Sequence, residues 1–258
     1  DTIIVEIVAT PSITAQDTLG CGPEHLNLNA ASSSAYLSWF NQEGKQVSNA
    51  TFFRSFFSDD SLLFVRSASP GNITYQIETG LPSFPFTYRA NTPRGMVFDV
   101  FKPLILRSVK VFSDANGSIK VALVNSEDEV IEEKWCPINA SLDEGFEVEL
   151  NFFVDVGTKY RLLLLDFSPS ISGLGIISPS DFSGTFPMVS DNLRINGAIL
   201  ESGTTIETAF YYFYDWKIIK NVCVSGLDTV KVEVEIPLSL PDSIYSCEPF
   251  ILESNVTA

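Results

Sequence analysis

Apolar and polar positions alternate with a period of two along most of this chain. Ile3 to Val8, His25 to Ala30, Tyr36 to Phe40, Leu62 to Arg66 and Ile73 to Glu78 each read as a short strand. The middle is denser, with Met96 to Phe101, Leu104 to Phe112, Ile119 to Asn125, Phe146 to Val154 and Tyr160 to Asp166. Phe210 to Ile219 and Thr229 to Ile236 close the series. The runs are β-branched and aromatic, and Gly, Pro, Asn, Asp and Ser separate them, as strands and tight turns require. No window of about 12 residues carries a 3.6-residue apolar stripe. The expected fold is all-β, an immunoglobulin-like β-sandwich interrupted by an inserted jelly-roll-like β-sandwich.

The interruption is read from a long-range repeat and from the cysteines. Asp1 to Ile7 matches Asp228 to Val234, and Asp17 to Cys21 matches Asp242 to Cys247, at separations of 225–227 residues. That pattern predicts a tandem array. Residues 1–10 would be the last strand of a preceding repeat and 237–258 the start of the next. The chain opens at Asp1 in strand-like sequence without an initiator Met, which reads as a piece of a longer protein. Cys21 followed by Trp39 has the Cys-then-Trp order of an immunoglobulin-like domain. The next cysteine in suitable surroundings is Cys223, just before the last strand. A Cys21–Cys223 disulfide would then close a discontinuous domain of residues 11–71 and 218–236 around an insert at 72–217. Such a bond implies an oxidising, extracytoplasmic location. The alternative pairing, Cys223–Cys247, would link neighbouring domains. Cys136 reads as a free, partly buried thiol. Within the insert, hairpin turns are expected at Asp114 to Gly117 and Asn125 to Glu129, and long loops over residues 167–205.

Charge narrows the function. With 16 Lys and Arg against 32 Asp and Glu, the net charge is −16. That argues against nucleic-acid binding, which needs a basic surface. No run of about 18 apolar residues is present to insert in a membrane. The single histidine, His25, leaves no room for a His-rich zinc site. No phosphate-loop, dinucleotide-binding, HExxH or GxSxG string occurs, so no catalytic residue and no cofactor is assigned, and the chain reads as non-enzymatic.

The densest aromatic run is Phe210 to Trp216. As one strand it puts Tyr212, Tyr214 and Trp216 on one face. They are the candidate glycan-stacking aromatics, against the alternative of a strand buried on both sides. Glu127, Asp128, Glu129, Glu132 and Glu133 read as a solvated acidic face. His25, Asn27 and Asn29 share a solvent-facing strand face opposite Leu26 and Leu28. Asp114 to Ser118 fails as an EF-hand, since Asn125 stands where the twelfth-position Glu belongs. A structural calcium ion is compatible with the acidic composition, but no spacing identifies its ligands. Phe182, Phe186, Pro187 and Met188 are a candidate partner-binding loop surface.

The segments "FDVFKPLILRSVKVFSD", "EVELNFFVDVGTKYRLLL" and "YYFYDWKI" resemble a β-sandwich module of Bacteroidota surface proteins. That module recurs in giant type 9-secreted adhesins of the SprB-like, gliding-motility kind. The resemblance covers roughly residues 95–236 and carries no catalytic signature. It implies an extracellular, adhesive repeat on the bacterial cell surface. Its partners would be neighbouring repeats of the same chain and a surface polysaccharide or glycan. Asp followed by Ser or Thr and an aliphatic residue resembles the O-glycosylation signal of that phylum. The acceptors would be Thr2, Thr18, Ser61, Thr229 and Ser243. Asn-x-Ser/Thr sequons stand at Asn49, Asn72, Asn116, Asn139 and Asn255. The competing expectation is a carbohydrate-binding accessory module of a secreted polysaccharide-degrading enzyme.

Overall fold

Alternation drives the first strands into a small sandwich. A computed structural model describes residues 7–79, 87–180, 182 and 184–235, and no helix occurs among them. The first strands are β1 (Ile13–Ala15), β2 (Thr18–Gly20), β3 (Glu24–Ser32), β4 (Tyr36–Phe40), β5 (Gln46–Ser48), β6 (Phe52–Phe57) and β7 (Ser61–Pro70). In β3, Leu26 and Leu28 point into a core while His25, Asn27 and Asn29 are exposed, as the two-residue period demands.

The chain then leaves this sandwich to build a larger one. Its strands are β8 (Thr74–Ile77), β9 (Thr87–Arg89), β10 (Arg94–Val100), β11 (Leu104–Ser113), β12 (Gly117–Val124), β13 (Val130–Ile138) and β14 (Ser141–Val154). They continue as β15 (Gly157–Phe167), β16 (Leu174–Ile177), β17 (Met188–Val189), β18 (Leu193–Ile199), β19 (Thr205–Ile206), β20 (Phe210–Tyr211) and β21 (Tyr214–Ile219). The return to the small sandwich is by β22 (Val222–Val224) and β23 (Asp228–Val234).

The small sandwich stacks a sheet of order β1-β3-β6 on a sheet of order β2-β23-β7-β4-β5, with β22 also on β7. This is an immunoglobulin-like arrangement, with the long excursion between its last two core strands, β7 and β23. Trp39 in β4 is fully buried there among Leu28, Leu37, Phe57, Val65, Val230 and Val232. Its indole Nε1 donates to the Ala50 carbonyl at 2.8 Å.

In the larger sandwich, one sheet runs β13-β12-β15-β10-β18-β17, with β19 on β18. The other is built on β11, flanked by β14 and β21, with β8, β16, β9 and β20 beyond. Met96, Phe98, Val121, Leu123, Leu162, Phe112, Phe152 and Trp216 fill the space between them. β8 and β21 pair antiparallel, Thr74 opposite Ile219. The outgoing and returning strands therefore form one stem. The turn at Asn125 to Glu129 is a hairpin, since Val124 pairs with Val130. The expected hairpin at Asp114 to Gly117 is not one. β11 and β12 lie in different sheets, so this turn carries the chain from one layer to the other.

The Cys21–Cys223 disulfide is not formed, and Cys21, Cys136 and Cys223 are free thiols. Strand register gives the reason. Cys223 lies opposite Ser69 at one end of β7. Gly20 pairs with Val234, beyond the Val232–Ser61 pair at the other end. Eight strand residues, roughly 26 Å, separate the two levels. A disulfide needs Cα atoms within about 7 Å. The alternative pairing with Cys247 falls outside the described residues. The repeat matches at residues 1–6 and 242–247 fall outside them too.

Candidate functional site

The aromatic run does not build a sugar platform. Phe210, Tyr212, Phe213, Tyr214 and Trp216 are fully buried, and Tyr211 and Asp215 nearly so. The run is also not one strand. Tyr212 adopts a φ of 68° and Asp215 a φ of 45°, and the Phe213 N–H donates to the Tyr211 carbonyl at 2.8 Å. This kink turns both sides of the run inward. Core partners satisfy the polar tips: Tyr212 OH donates to the Asn91 carbonyl at 2.9 Å, and Trp216 Nε1 to the Phe213 carbonyl at 2.8 Å. Burial pushes the Tyr214 phenol well above its ordinary range. Tyr212, Tyr214 and Trp216 are thus core residues, and sugar stacking on them is excluded. Phe182 and Phe186 stack on one another at 5.1 Å, and Phe186 stacks on Phe210 at 5.9 Å. They seal the end of the same core rather than forming an open apolar surface.

The Asp-Ser/Thr motifs have a structural use. Asp17 Oδ1 accepts the Lys231 N–H, Asp60 Oδ1 the Val234 N–H and Asp228 Oδ2 the Ala15 N–H, each at 2.8 Å. Each Asp stands at or just before a strand start; Asp17 and Asp60 tie neighbours within one sheet, and Asp228 ties β23 to β1 of the facing sheet. Of the proposed acceptor hydroxyls, Thr229 is exposed on an outer sheet face, while Thr18 and Ser61 are half-buried. Thr2 and Ser243 lie outside the described residues. The Asn49 sequon sits where no glycan fits, because its amide is held inside the molecule.

Asn49 belongs to a polar junction between the sandwiches that the sequence reading missed. Its Nδ2 donates to Glu132 Oε2 at 2.9 Å and to the Phe153 carbonyl at 2.8 Å. The buried Gln46 amide donates to Ser38 Oγ at 2.8 Å and to the Phe153 carbonyl at 3.1 Å. Its Oε1 accepts the Asp155 N–H at 3.0 Å and the Tyr160 hydroxyl at 3.3 Å. Asn125 Nδ2 reaches back to the Gln46 carbonyl at 3.0 Å. Arg66, stacked over the Phe40 ring, pairs with buried Asp155 at 3.0 Å. Ala68, Ile105, Phe153 and Ile219 add a shared apolar patch. Of the acidic cluster, Glu127, Asp128, Glu129 and Glu133 are exposed, as a solvated face requires, while Glu132 is drawn into the seam by Asn49. Glu127 pairs with Lys45, Asp128 with Arg161 and Glu133 with Lys120. Burial raises the Glu132 and Asp155 carboxyls above their ordinary range, partly offset by the Asn49 bond and by Arg66 respectively.

An open cleft lies on the large sandwich. It encloses about 360 Å³ on the outer face of the β13-β12-β15-β10-β18-β17 sheet. Val97 and Ile199 form its floor, as part of a small apolar cluster with Ala122, Val124 and Leu163. These residues alternate with Met96, Leu123 and Leu162, which face the opposite way into the main core. Lys159, Arg161, Asn196 and Thr205 line the cleft, and Ser126 sits at its rim. Asp99, 3% exposed, is buried beside it on the same sheet face. Its Oδ1 accepts the Lys159 N–H at 2.8 Å, and its Oδ2 takes Arg194 Nη2 at 2.5 Å. Burial works to raise the Asp99 carboxyl, but the Lys159 N–H and Arg194 outweigh it and hold the pKa below the ordinary range. Among the described residues, no group of three or more His, Cys, Asp or Glu is placed to hold a metal ion. Comparison with known proteins finds no matching family, no matching curated protein and no matching solved structure.

Proposed function

We propose that this chain is a non-enzymatic repeat unit of a large bacterial cell-surface adhesin. Its small sandwich would carry tension along the stalk, and its large sandwich would be displayed at the side. The parallel pairing of β2 with β23 carries the reading, with Thr18 opposite Val232 and Gly20 opposite Val234. Parallel neighbours place the incoming chain, before β1, and the outgoing chain, after β23, at opposite ends of one sandwich. Tension between those ends loads the β2–β23 ladder in shear, so its bonds resist together rather than peeling one by one. The Asp17 and Asp60 clamps, and the Glu235 N–H bonded to the Gly20 carbonyl at 3.0 Å, lie on the same path.

The large sandwich hangs from the β8–β21 stem, between β7 and β22. It bears no load while β7 and β23 remain paired. It also covers the β5 edge, where the Asn49 N–H reaches the Ile131 carbonyl at 3.2 Å. An open sheet edge in a crowded array would invite strand pairing between copies, and covering it removes that hazard. The acidic net charge keeps neighbouring units apart in the same way. The cleft on the large sandwich favours a second reading, a glycan-binding accessory module of a secreted polysaccharide-degrading enzyme.

Electron microscopy of three copies joined head to tail tests the stalk. The expected image is a thin filament with one knob branching from each unit. Knobs strung in line along the filament would overturn the lateral arrangement. Sequence flanking residues 1–258 separates the two readings: further copies support the adhesin, and an adjoining catalytic domain supports the accessory module.

A further inference from the structure

The cleft on the outer face of the large sandwich has the chemistry of an acidic-sugar subsite. The chain carries twice as many acidic as basic residues, yet two cations and no carboxylate line this cleft. Lys159 forms no ion pair among the described residues. Its backbone sits at a φ of 58°, a left-handed conformation that L-residues adopt at a cost, held in place by the bond to Asp99. Arg161 reaches Asp128 and the Asn125 carbonyl, while its buried Nε has no partner. An unmade bond on a buried donor is costly. The floor is apolar, although the outer face of such a sheet is ordinarily polar. With Arg161 paired to Asp128, Lys159 leaves one uncompensated positive charge in the cleft of an acidic protein, which attracts an anion locally.

We propose that this cleft binds a hexuronate, a sugar ring that bears a carboxylate. The ring's C–H face rests on Val97 and Ile199. Lys159 takes the carboxylate, with the Arg161 guanidinium beside it, and Asn196 and Thr205 bond ring hydroxyls. A volume of about 360 Å³ is at the small end for ligand sites and suits a single terminal or side-chain sugar. The assignment names the ligand of the displayed sandwich and rests on the stalk reading only for that display. Binding is measured on the single unit, so it can fail without touching the stalk, and the filament image can fail without touching the cleft.

Titration of the full chain with galacturonate, glucuronate, galactose and acetate, followed by NMR and calorimetry, tests it. Expected are saturable binding of one or both uronates, weakening with added salt, and shifts centred on Val97, Lys159 and Thr205. Lys159→Gln should lower the affinity about tenfold, the loss of one charge-assisted hydrogen bond. Ser126→Trp, at the exposed rim, should block entry without touching the core, so the test survives if Lys159→Gln misfolds. Galactose binding as well as the uronates would overturn charge selection. Acetate binding as well would reduce the cleft to a simple anion site. Absence of uronate binding, or binding unchanged in Lys159→Gln and Ser126→Trp, would overturn the proposal.

Discussion

The large sandwich is held by its own core, whereas the small one depends on what surrounds it. Between its sheets the large sandwich buries a continuous set of Phe, Tyr, Trp, Leu, Ile and Val side chains, including every aromatic from Phe210 to Trp216. The small sandwich buries little more than one Trp, one Phe and a few Leu and Val residues. A small domain buries a smaller share of its surface and is marginal by itself. Here the shortfall is met by directed polar bonds, the Asp17 and Asp60 clamps inside one sheet, the Asp228 clamp between the two sheets and the Gln46–Asn49–Asn125 seam against the insert. Apolar burial tolerates adjustment, whereas a polar seam holds only when every member is paired. The large sandwich should therefore fold alone, and the small one should be stable only with the insert docked.

The sharpest way to break this comparison is to cut each core in turn. Trp216→Ala and Trp39→Ala each remove a fully buried indole, at about 3–5 kcal/mol. Trp39→Ala should lower only the first denaturation transition, with the insert unfolding later and unchanged. Trp216→Ala should destabilise both parts, because the seam is lost with the insert. Denaturation followed by residue-specific NMR signals separates the two, and identical curves for both variants would refute the asymmetry. Gln46→Ala leaves several buried partners unpaired and should cost about 3 kcal/mol, at 1–3 kcal/mol per orphaned group. It should move the first transition lower, further from the insert's, while leaving the insert's own stability intact.

Acidity sharpens the comparison, since the raised carboxyls Glu132 and Asp155 both lie in the seam. Their folded-state pKa values exceed the unfolded ones, so the folded state retains protons that the unfolded chain has released. Stability contributed this way falls as pH rises from the ordinary carboxylate value through the raised one. Asp99 and Glu147, in the large sandwich, are held below the ordinary range. Burial works against this at both, but bonds from the Lys159 N–H and Arg194, and from Lys217 and Ser108, outweigh it. Their contribution is present above the ordinary value and is lost on stronger acidification. Mild acid should thus tighten the seam, and strong acid should loosen the insert. Asp155→Asn should flatten the first slope and leave the second.

Smaller effects follow on the sheet itself. Asp60→Ala removes one exposed strand clamp and should cost about 1 kcal/mol, in the small sandwich alone. Thr229→Val, on the exposed face, should change stability by less than about 0.5 kcal/mol. A larger loss there would mean that this face is covered.

Strand alternation was legible from the sequence because one-face burial writes itself into the side chains, as at His25 to Asn29. The interruption between β7 and β23 was read from the long-range repeat and from the long gap between Cys21 and Cys223. The kink at Tyr212 was not, since a bulky residue at positive φ runs against its own preference and is held there by the finished core. The cysteines misled because their order fits a disulfide while the strand register puts them at opposite ends of β7. Asp17, Asp60 and Asp228 gave a true signal with another cause: their repetition marks strand clamps. Gln46, Asn49 and Asn125 look like ordinary loop polars, and only docking of the insert makes them a seam. The cleft draws Val97, Lys159, Asn196 and Thr205 from four separate segments, and no local motif could announce it.

Single-molecule pulling on the chain between residues 7 and 235 tests the load path most directly. The account predicts two ordered events. The small sandwich should yield first and release about 280 Å of chain, at up to 3.6 Å per residue. The insert, which comes under load only then, should follow and release about 540 Å. A first event with the longer release, or one event releasing everything, would contradict the division into a loaded sandwich and a displayed one.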